Sequence, residues 1–333
     1  MTMRALWGAL EADSRAAPPG FLVRRIPGDR DLHLGIDKPS NRRMLMLSIP
    51  TGDLPAGLAA LPPSAGFSVK IVPDSHPGRT SIHLVMGLPA FAEMFVVLVE
   101  DVVERIGRAG SDRSAAKELF GRLIRWQEFL KVHGPEGLPG EAQRGLFGEL
   151  WFLHNELIPV VGETTAIAAW AGPLGNPQDF QMPARSIEVK VSTAKQLQQL
   201  RISNERQLDD STCGKLLLFH LSLDARDTGD GGTLPRLVQS LRELLSSSAE
   251  AATLFEDRLL AAGYHDVHSD RYNRTSYAQR ERNYFLVGEG FPRITESMLI
   301  AGIGDVAYSI AVSACMPFRV VDSDARQMIL GHQ

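Results

Sequence analysis

Residues 178–193 read QDFQMPARSIEVKVST. From Ser186 onward, Ile187, Val189 and Val191 alternate with Glu188 and Lys190, the period of two that builds a β-strand with one apolar face. That alternation puts Glu188 and Lys190 together on the opposite face. For an isolated Glu-x-Lys the ordinary reading is a solvated pair, because charged side chains are normally exposed. The context argues for more. Asp179 stands nine positions before Glu188, and the QMPARS between Phe180 and Ile187 can form the turn of a hairpin that returns Asp179 to the side of Glu188. Two adjacent carboxylates repel, and a cation between them offsets the repulsion. Oxygen donors of this kind select Mg²⁺ or Mn²⁺ rather than zinc.

Outward from this strand, KLLLFHLSLDA (215–225) reads as a fully buried strand, and TLPRLVQSLRELLSS (233–247) as a helix opened by Thr233 and Pro235. On the N-terminal side, EAQRGLFGELWFLHNELIPVVG (141–162) spaces Leu146, Leu150, Leu153 and Leu157 along one helical stripe. Strands and helices around one core predict an α/β domain. AEAATLFEDRLLAAG (249–263) predicts a further helix that stops at Gly263, and DARDTGDGG a surface loop. RTSYAQRERNYFLV, FPRITES and VAYSIAVSAC predict strands near the C-terminus.

The first part of the chain has a different texture. FLVRRI, MLMLSIP, FSVKIV and SIHLVM are short runs set between Gly, Pro, Asp and Ser clusters, the pattern of antiparallel strands and turns. Two helical segments follow: PAFAEMFVVLVEDVVERIGRA, with Phe91, Phe95, Leu98, Val102 and Ile106 at helical spacing, and DRSAAKELFGRLIRWQEFLKV. The loop HGPEGLPG (133–140) is the boundary. The expected division is an N-terminal α+β region over 1–135, a core over 136–250 and a helix- and strand-rich extension over 251–333.

Composition narrows the function classes. The 333 residues are 44% hydrophobic and 22% charged with a net charge of −4, so a nucleic-acid partner would have to be held by a local patch. Only Cys213 and Cys315 are present, far apart, which fits a reducing compartment and excludes a cysteine-rich zinc site. The N-terminus lacks a leader pattern, and no apolar run reaches the roughly 18 residues of a membrane span, so the expected setting is the cytoplasm.

Asp179 followed by Glu188-Val189-Lys190 resembles the PD-(D/E)XK nuclease signature, with Pro177 displaced by one residue from the proline of that pattern. Glu149 in RGLFGELWFL matches the upstream helical acid common in that superfamily. The resemblance is more specific to a bacterial PD-(D/E)XK group found among restriction and phage-defence genes. It runs through GLFGEL (145–150), WAGP (170–173), DF (179–180), IEVK (187–190), ISNERQL (202–208) and GFPRI (290–294). The resemblance implies a restriction-endonuclease-like core, a mixed sheet flanked by helices. It implies Mg²⁺- or Mn²⁺-dependent hydrolysis of DNA, with Asp179, Glu188 and the Val189 carbonyl holding the metal and Lys190 orienting or deprotonating the attacking water. Glu149 and Gln207 are further candidates, each weighed against an ordinary polar helix position, and Ser192 shares the Glu188 face. Lys195 reads as solvated.

The expected partners are DNA and, within a defence operon, helicase/ATPase or methyltransferase subunits, since no Walker motif is present. Homo-oligomerisation is left open. The alternative is an inactive nuclease-fold protein that binds DNA or serves as a structural subunit. Arg271, Arg274, Arg280 and Arg282 with Tyr272, Tyr277 and Tyr284 mix cations and aromatics as nucleic-acid surfaces do, but Asp270 and Glu281 dilute them and favour a solvated loop. His265 and His268 flank Asp266 without a third ligand.

Overall fold

The computed structural model describes residues 2–13, 20–38, 40–56, 61, 64–133, 136–227 and 231–331. Parts of the expected boundary loop (134–135) and of the acidic loop (228–230) lie outside them. The chain divides into two compact units, Met1–Gly137 and Leu138–Gln333, so residues 251–333 belong to the same unit as 138–250.

The first unit opens with helix α1 (Met3–Glu11) and continues with strands β1 (Gly20–Arg25), β2 (Leu32–Lys38), β3 (Arg42–Pro50), β4 (Phe67–Pro73) and β5 (Arg79–Met86). They form one antiparallel sheet in the order β1-β2-β3-β5-β4. The sequence reading missed β2, LHLGIDK, because Gly35 and Asp37 dilute its pattern. Its Leu32, Leu34 and Ile36 are nonetheless buried. Helices α2 (Ala92–Gly107) and α3 (Asp112–His133) complete the unit. The five apolar residues spaced along the α2 segment are all buried, and packing overrides the low helix propensity of its valines.

The second unit holds α4 (Gly140–Phe152), a π-helical turn (Leu153–Leu157), α5 (Ile158–Val161) and α6 (Glu163–Ala169). Then come β6 (Phe180–Met182), β7 (Arg185–Ser192), β8 (Gln199–Ile202), β9 (Lys215–Arg226), β10 (Gly232–Thr233), α7 (Leu234–Leu244) and α8 (Ala249–Ala261). The remainder is α9 (Ser269–Tyr272), β11 (Ser276–Val287), β12 (Tyr308–Ala311), α10 (Val312–Cys315), β13 (Arg319–Val320) and α11 (Asp322–Leu330). The main sheet runs β10-β11-β9-β7-β6, with β13 on β11, while β8 and β12 form a separate pair. Among the described residues only β7 and β9 pair in parallel, so the sheet is mixed, and helices flank it in the restriction-endonuclease-like arrangement.

Two apolar clusters clothe this sheet. One joins Leu146, Leu150, Leu153 and Leu157 to Ile187, Val189, Phe219 and Leu221. The other gathers Leu200, Ile202, Leu216, Leu218, Phe285 and Ile310. The central strands are thus covered on both faces, and the outward face assigned to Glu188 by the ordinary reading does not exist.

Local signals explain much of the rest. Thr233 Oγ1 accepts the Arg236 N–H at the start of α7, with Pro235 in its first turn. Gly263 follows α8 with φ +86°. Three readings need correction. FPRITES is a loop containing a 3₁₀ turn at Glu296–Met298, where Pro292 supplies no ladder donor and Arg293 Nη1 donates to the Leu208 carbonyl instead. VAYSIAVSAC is strand only over Tyr308–Ala311 before turning helical. The Arg/Tyr cluster is no loop: Tyr272, Tyr277 and Tyr284 are buried on α9 and β11, and Arg282 ties to Glu156 and Asp322.

Candidate active site

The hairpin predicted from QMPARS is present. Phe180, Gln181 and Met182 pair with Ile187, Ser186 and Arg185, leaving Pro183-Ala184 as a two-residue turn. Proline presets the first turn position, and Ala184 takes φ +61° at the second, the left-handed position of a type II turn. Gly214, at φ +72°, passes so close to this turn that a Cβ would stand 2.6 Å from the Ala184 carbonyl oxygen.

One step beyond the paired residues, Asp179 reaches across to β7, where its Oδ2 accepts the Val189 N–H at 2.7 Å. A residue's N–H and C=O leave a strand on the same side, so the Val189 carbonyl also opens toward Asp179. The main chain of Asp179 is fixed as well, its carbonyl accepting the N–H groups of Ala171 (2.8 Å) and Gly172 (3.0 Å).

Glu149 comes from α4, which lies directly on β7 because position 148 is glycine; a Cβ there would overlap the Val191 side chain. The Trp170 indole donates to Glu149 Oε2 at 2.8 Å. WAGP therefore binds both acids, Glu149 through the Trp170 side chain and Asp179 through the next two amides. Gly172 also keeps the ground beside them open: a Cβ would meet Asp179 Oδ1 at 3.0 Å and Glu149 Oε2 at 3.5 Å.

Glu188 is completely buried (0% exposed) in register with Leu218. Lys190 Nζ lies 2.7 Å from Glu188 Oε1 as an ion pair, and among the described residues neither Glu188 oxygen receives a well-aligned hydrogen bond. The aligned bond of Lys190 goes to Gln207 Oε1 at 3.0 Å, and the same oxygen accepts the Ser203 N–H at 2.8 Å. Gln178, absent from the sequence-derived candidates, is buried and donates to the Arg206 carbonyl at 2.9 Å, fastening the Gln207 loop to the residue before Asp179.

The electrostatics follow from this crowding. Burial, reinforced by the Asp179 charge and opposed by Lys190, pushes the Glu188 carboxyl up to about 8. Burial and then Asp179 raise Glu149 well above the carboxylate range despite the Trp170 bond. Burial also raises Asp179 against the pull of Lys190 and the Val189 N–H. Burial pulls Lys190 down, but Glu188 and Asp179 outweigh it and hold the ammonium above its ordinary value. Three carboxyls thus share one lysine, a site short of positive charge.

The structure therefore brings Glu149, Asp179, Glu188, Val189, Lys190 and Gln207 to one place. Apart from Glu188, these residues line a cleft of about 510 Å³. Ser192 lines it too, with its Oγ 2.8 Å from His220 Nε2, whereas Lys195 is exposed. Leu197, at the rim, is 93% exposed with φ +53°. The donor set is oxygen only. Among the described residues no three His, Cys, Asp or Glu side chains converge as a ready-made metal cluster, so a cation here would draw on Asp179, Glu188 and the Val189 carbonyl, completed by water. The charge-crowded oxygens of Glu188, poorly supplied with aligned donors, and the space guarded by Gly172 fit a hard divalent ion that keeps part of its water shell.

Sequence reasoning missed Gly148, Trp170, Gly172 and Gln178 as individual contributors. A glycine inside an otherwise good helix was the available signal for Gly148. A family model described as "Putative PD-(D/E)XK family member, (DUF4420)" matches residues 3–313. No curated protein and no solved structure matches the chain.

Proposed function

We propose, since the chain belongs to the DUF4420 family of PD-(D/E)XK proteins, that it hydrolyses DNA phosphodiester bonds with Mg²⁺ or Mn²⁺. PD-(D/E)XK nucleases as a class use divalent metals. The observation that carries the reading is Glu188: a fully buried carboxyl without a well-aligned hydrogen bond at either oxygen among the described residues, with Asp179 and Lys190 beside it.

Asp179, Glu188 and the Val189 carbonyl would hold the ion. A bound divalent cation lowers the pKa of its water and offsets phosphate charge. Lys190 contributes a proton-bearing Nζ, positioned by Gln207, that donates to water or to the non-bridging oxygens as negative charge develops. Asp179 holds the main chain at Val189, whose carbonyl leaves the strand on the same side. Glu149, held by Trp170, adds a third acid at the cleft wall, where it would help to hold water.

The proposed setting is a cytoplasmic restriction or phage-defence system, with translocation or methylation supplied by helicase/ATPase or methyltransferase partners. Among the described residues, no helix is long and apolar enough to cross a membrane. The rival is a nuclease-fold subunit that binds DNA without cutting it.

Purified protein incubated with supercoiled plasmid and Mg²⁺ or Mn²⁺ decides between them. Cleavage that disappears in Glu188→Ala and Lys190→Ala supports the nuclease. Cleavage unchanged in both variants refutes the assigned site, and a wild-type protein that neither cuts nor binds Mn²⁺ favours the rival.

A further inference from the structure

Phosphate approaching this cleft meets an acidic floor, and the chain's net charge of −4 provides no general attraction. The walls carry the missing charge. Arg144 projects into the cleft from α4, and Arg201 from β8. On β8 the alternation is clear: Leu200 and Ile202 are buried in the second apolar cluster, while Gln199 and Arg201 face the cleft. Among the described residues neither guanidinium has a hydrogen bond or ion pair, although Glu141 and Glu149 line the same cleft on the helix of Arg144. Other arginines of this unit are tied down: Arg206 to Asp305, Arg226 to Asp224, Arg282 to Glu156 and Asp322, and Arg293 to Asp210.

We infer that Arg144 and Arg201 are phosphate-gripping residues that hold the DNA backbone from opposite walls, on either side of the phosphate presented to Lys190. The inference rests on the phosphodiesterase reading of this cleft. A guanidinium carries its charge at all working pH values and offers paired donors matched to a phosphate. With no hydrogen bond or ion pair among the described residues to give up, each guanidinium can take a phosphate without breaking one. Serving as binding residues, they set affinity and register, while the floor residues carry the chemistry.

The test is fluorescence anisotropy of a labelled DNA duplex bound by the full chain in EDTA, titrated between about 50 and 300 mM NaCl, the range over which counterion release is readily measured. Wild type is compared with Arg144→Gln, Arg201→Gln and, as a control away from the cleft, Arg226→Gln. Each cleft variant should weaken binding several-fold and flatten the slope of log K against log salt by about 0.9, the release expected for one phosphate contact. Arg226→Gln should leave the slope unchanged. In cleavage assays KM should rise with kcat nearly kept, and both cleft variants should melt like wild type.

Slopes unchanged in both cleft variants overturn the inference. If Glu188→Ala abolishes cleavage meanwhile, the nuclease reading stands without it. A wild type that binds no duplex at low salt overturns the inference and, if it also fails to cut plasmid, the nuclease reading as well.

Discussion

Glu188→Gln replaces a fully buried carboxyl with an uncharged group of nearly the same shape, and in the metal-free protein it should raise stability by an amount that grows with pH. The Glu188 carboxyl ionises near 4.5 when unfolded but holds its proton to about 8 when folded. Between those values the unfolded state releases a proton that the folded state keeps, so wild type loses stability as pH rises, by at most about 1.4 kcal/mol per pH unit. Glutamine carries no such penalty. The gap should be small at pH 5, reach roughly 3 kcal/mol at pH 7 and level off near 5 kcal/mol above pH 8, as ceilings. Lys190, held above its ordinary value of 10.5, adds no slope in this window. Urea unfolding in EDTA at pH 5, 6, 7 and 8 measures the gap. Adding Mg²⁺ should narrow it, because a ligand that binds only the folded state stabilises wild type and finds fewer donors in the variant. A variant less stable than wild type at pH 8 in EDTA, with an equal denaturant slope, would refute the reasoning. It would show that the Lys190 pairing outweighs the burial of the carboxylate.

Other substitutions probe the supports. Gly148→Ala drives a methyl into Val191, so thermal unfolding should show a loss of about 1–3 kcal/mol, and cleavage should fall as α4 lifts Glu149 away. Gln207→Ala removes the acceptor shared by Lys190 and the Ser203 N–H; a stability loss of about 1–2 kcal/mol by chemical denaturation should accompany a drop in kcat much larger than any change in KM. Ala184→Gly relieves a left-handed residue in the hairpin turn and should stabilise the protein by up to about 1 kcal/mol with cleavage unchanged, a result that Ala184→Val should reverse.

The hairpin was legible in the sequence because its information is local. Period-two alternation, a proline at the first turn position and a nine-residue separation suffice to bring Asp179 to the strand of Glu188. The burial of Glu188 was not legible, since it depends on β9, paired in parallel after a long crossover, and on a second apolar cluster assembled from residues as distant as Leu200 and Ile310. Alternation reports which side chains share a face, not what covers that face. The roles of Trp170 and Gly172 were hidden for the same reason, because the indole–carboxylate bond joins residues 21 positions apart. Conversely, FPRITES and the Arg/Tyr segment carried residue types that suit a strand and a solvated loop, but Pro292 and the burial of three tyrosines decided otherwise.

The π-helical turn at Leu153–Leu157 sits between the two ends of this scaffold. Glu149 and Glu156 are seven residues apart, a spacing that would stack them on one stripe of an unbroken α-helix. The wider turn changes the phase. Glu149 reaches the cleft and Trp170, while Glu156 turns inward to Arg282 and the Tyr284 hydroxyl. Such a turn holds one residue more than an α-helical turn for nearly the same rotation. Deleting a single residue from it would let the helix close to ordinary width with Glu149 and Trp170 still near their present places. This stretch can therefore absorb a change of length that a regular helix would transmit to everything downstream.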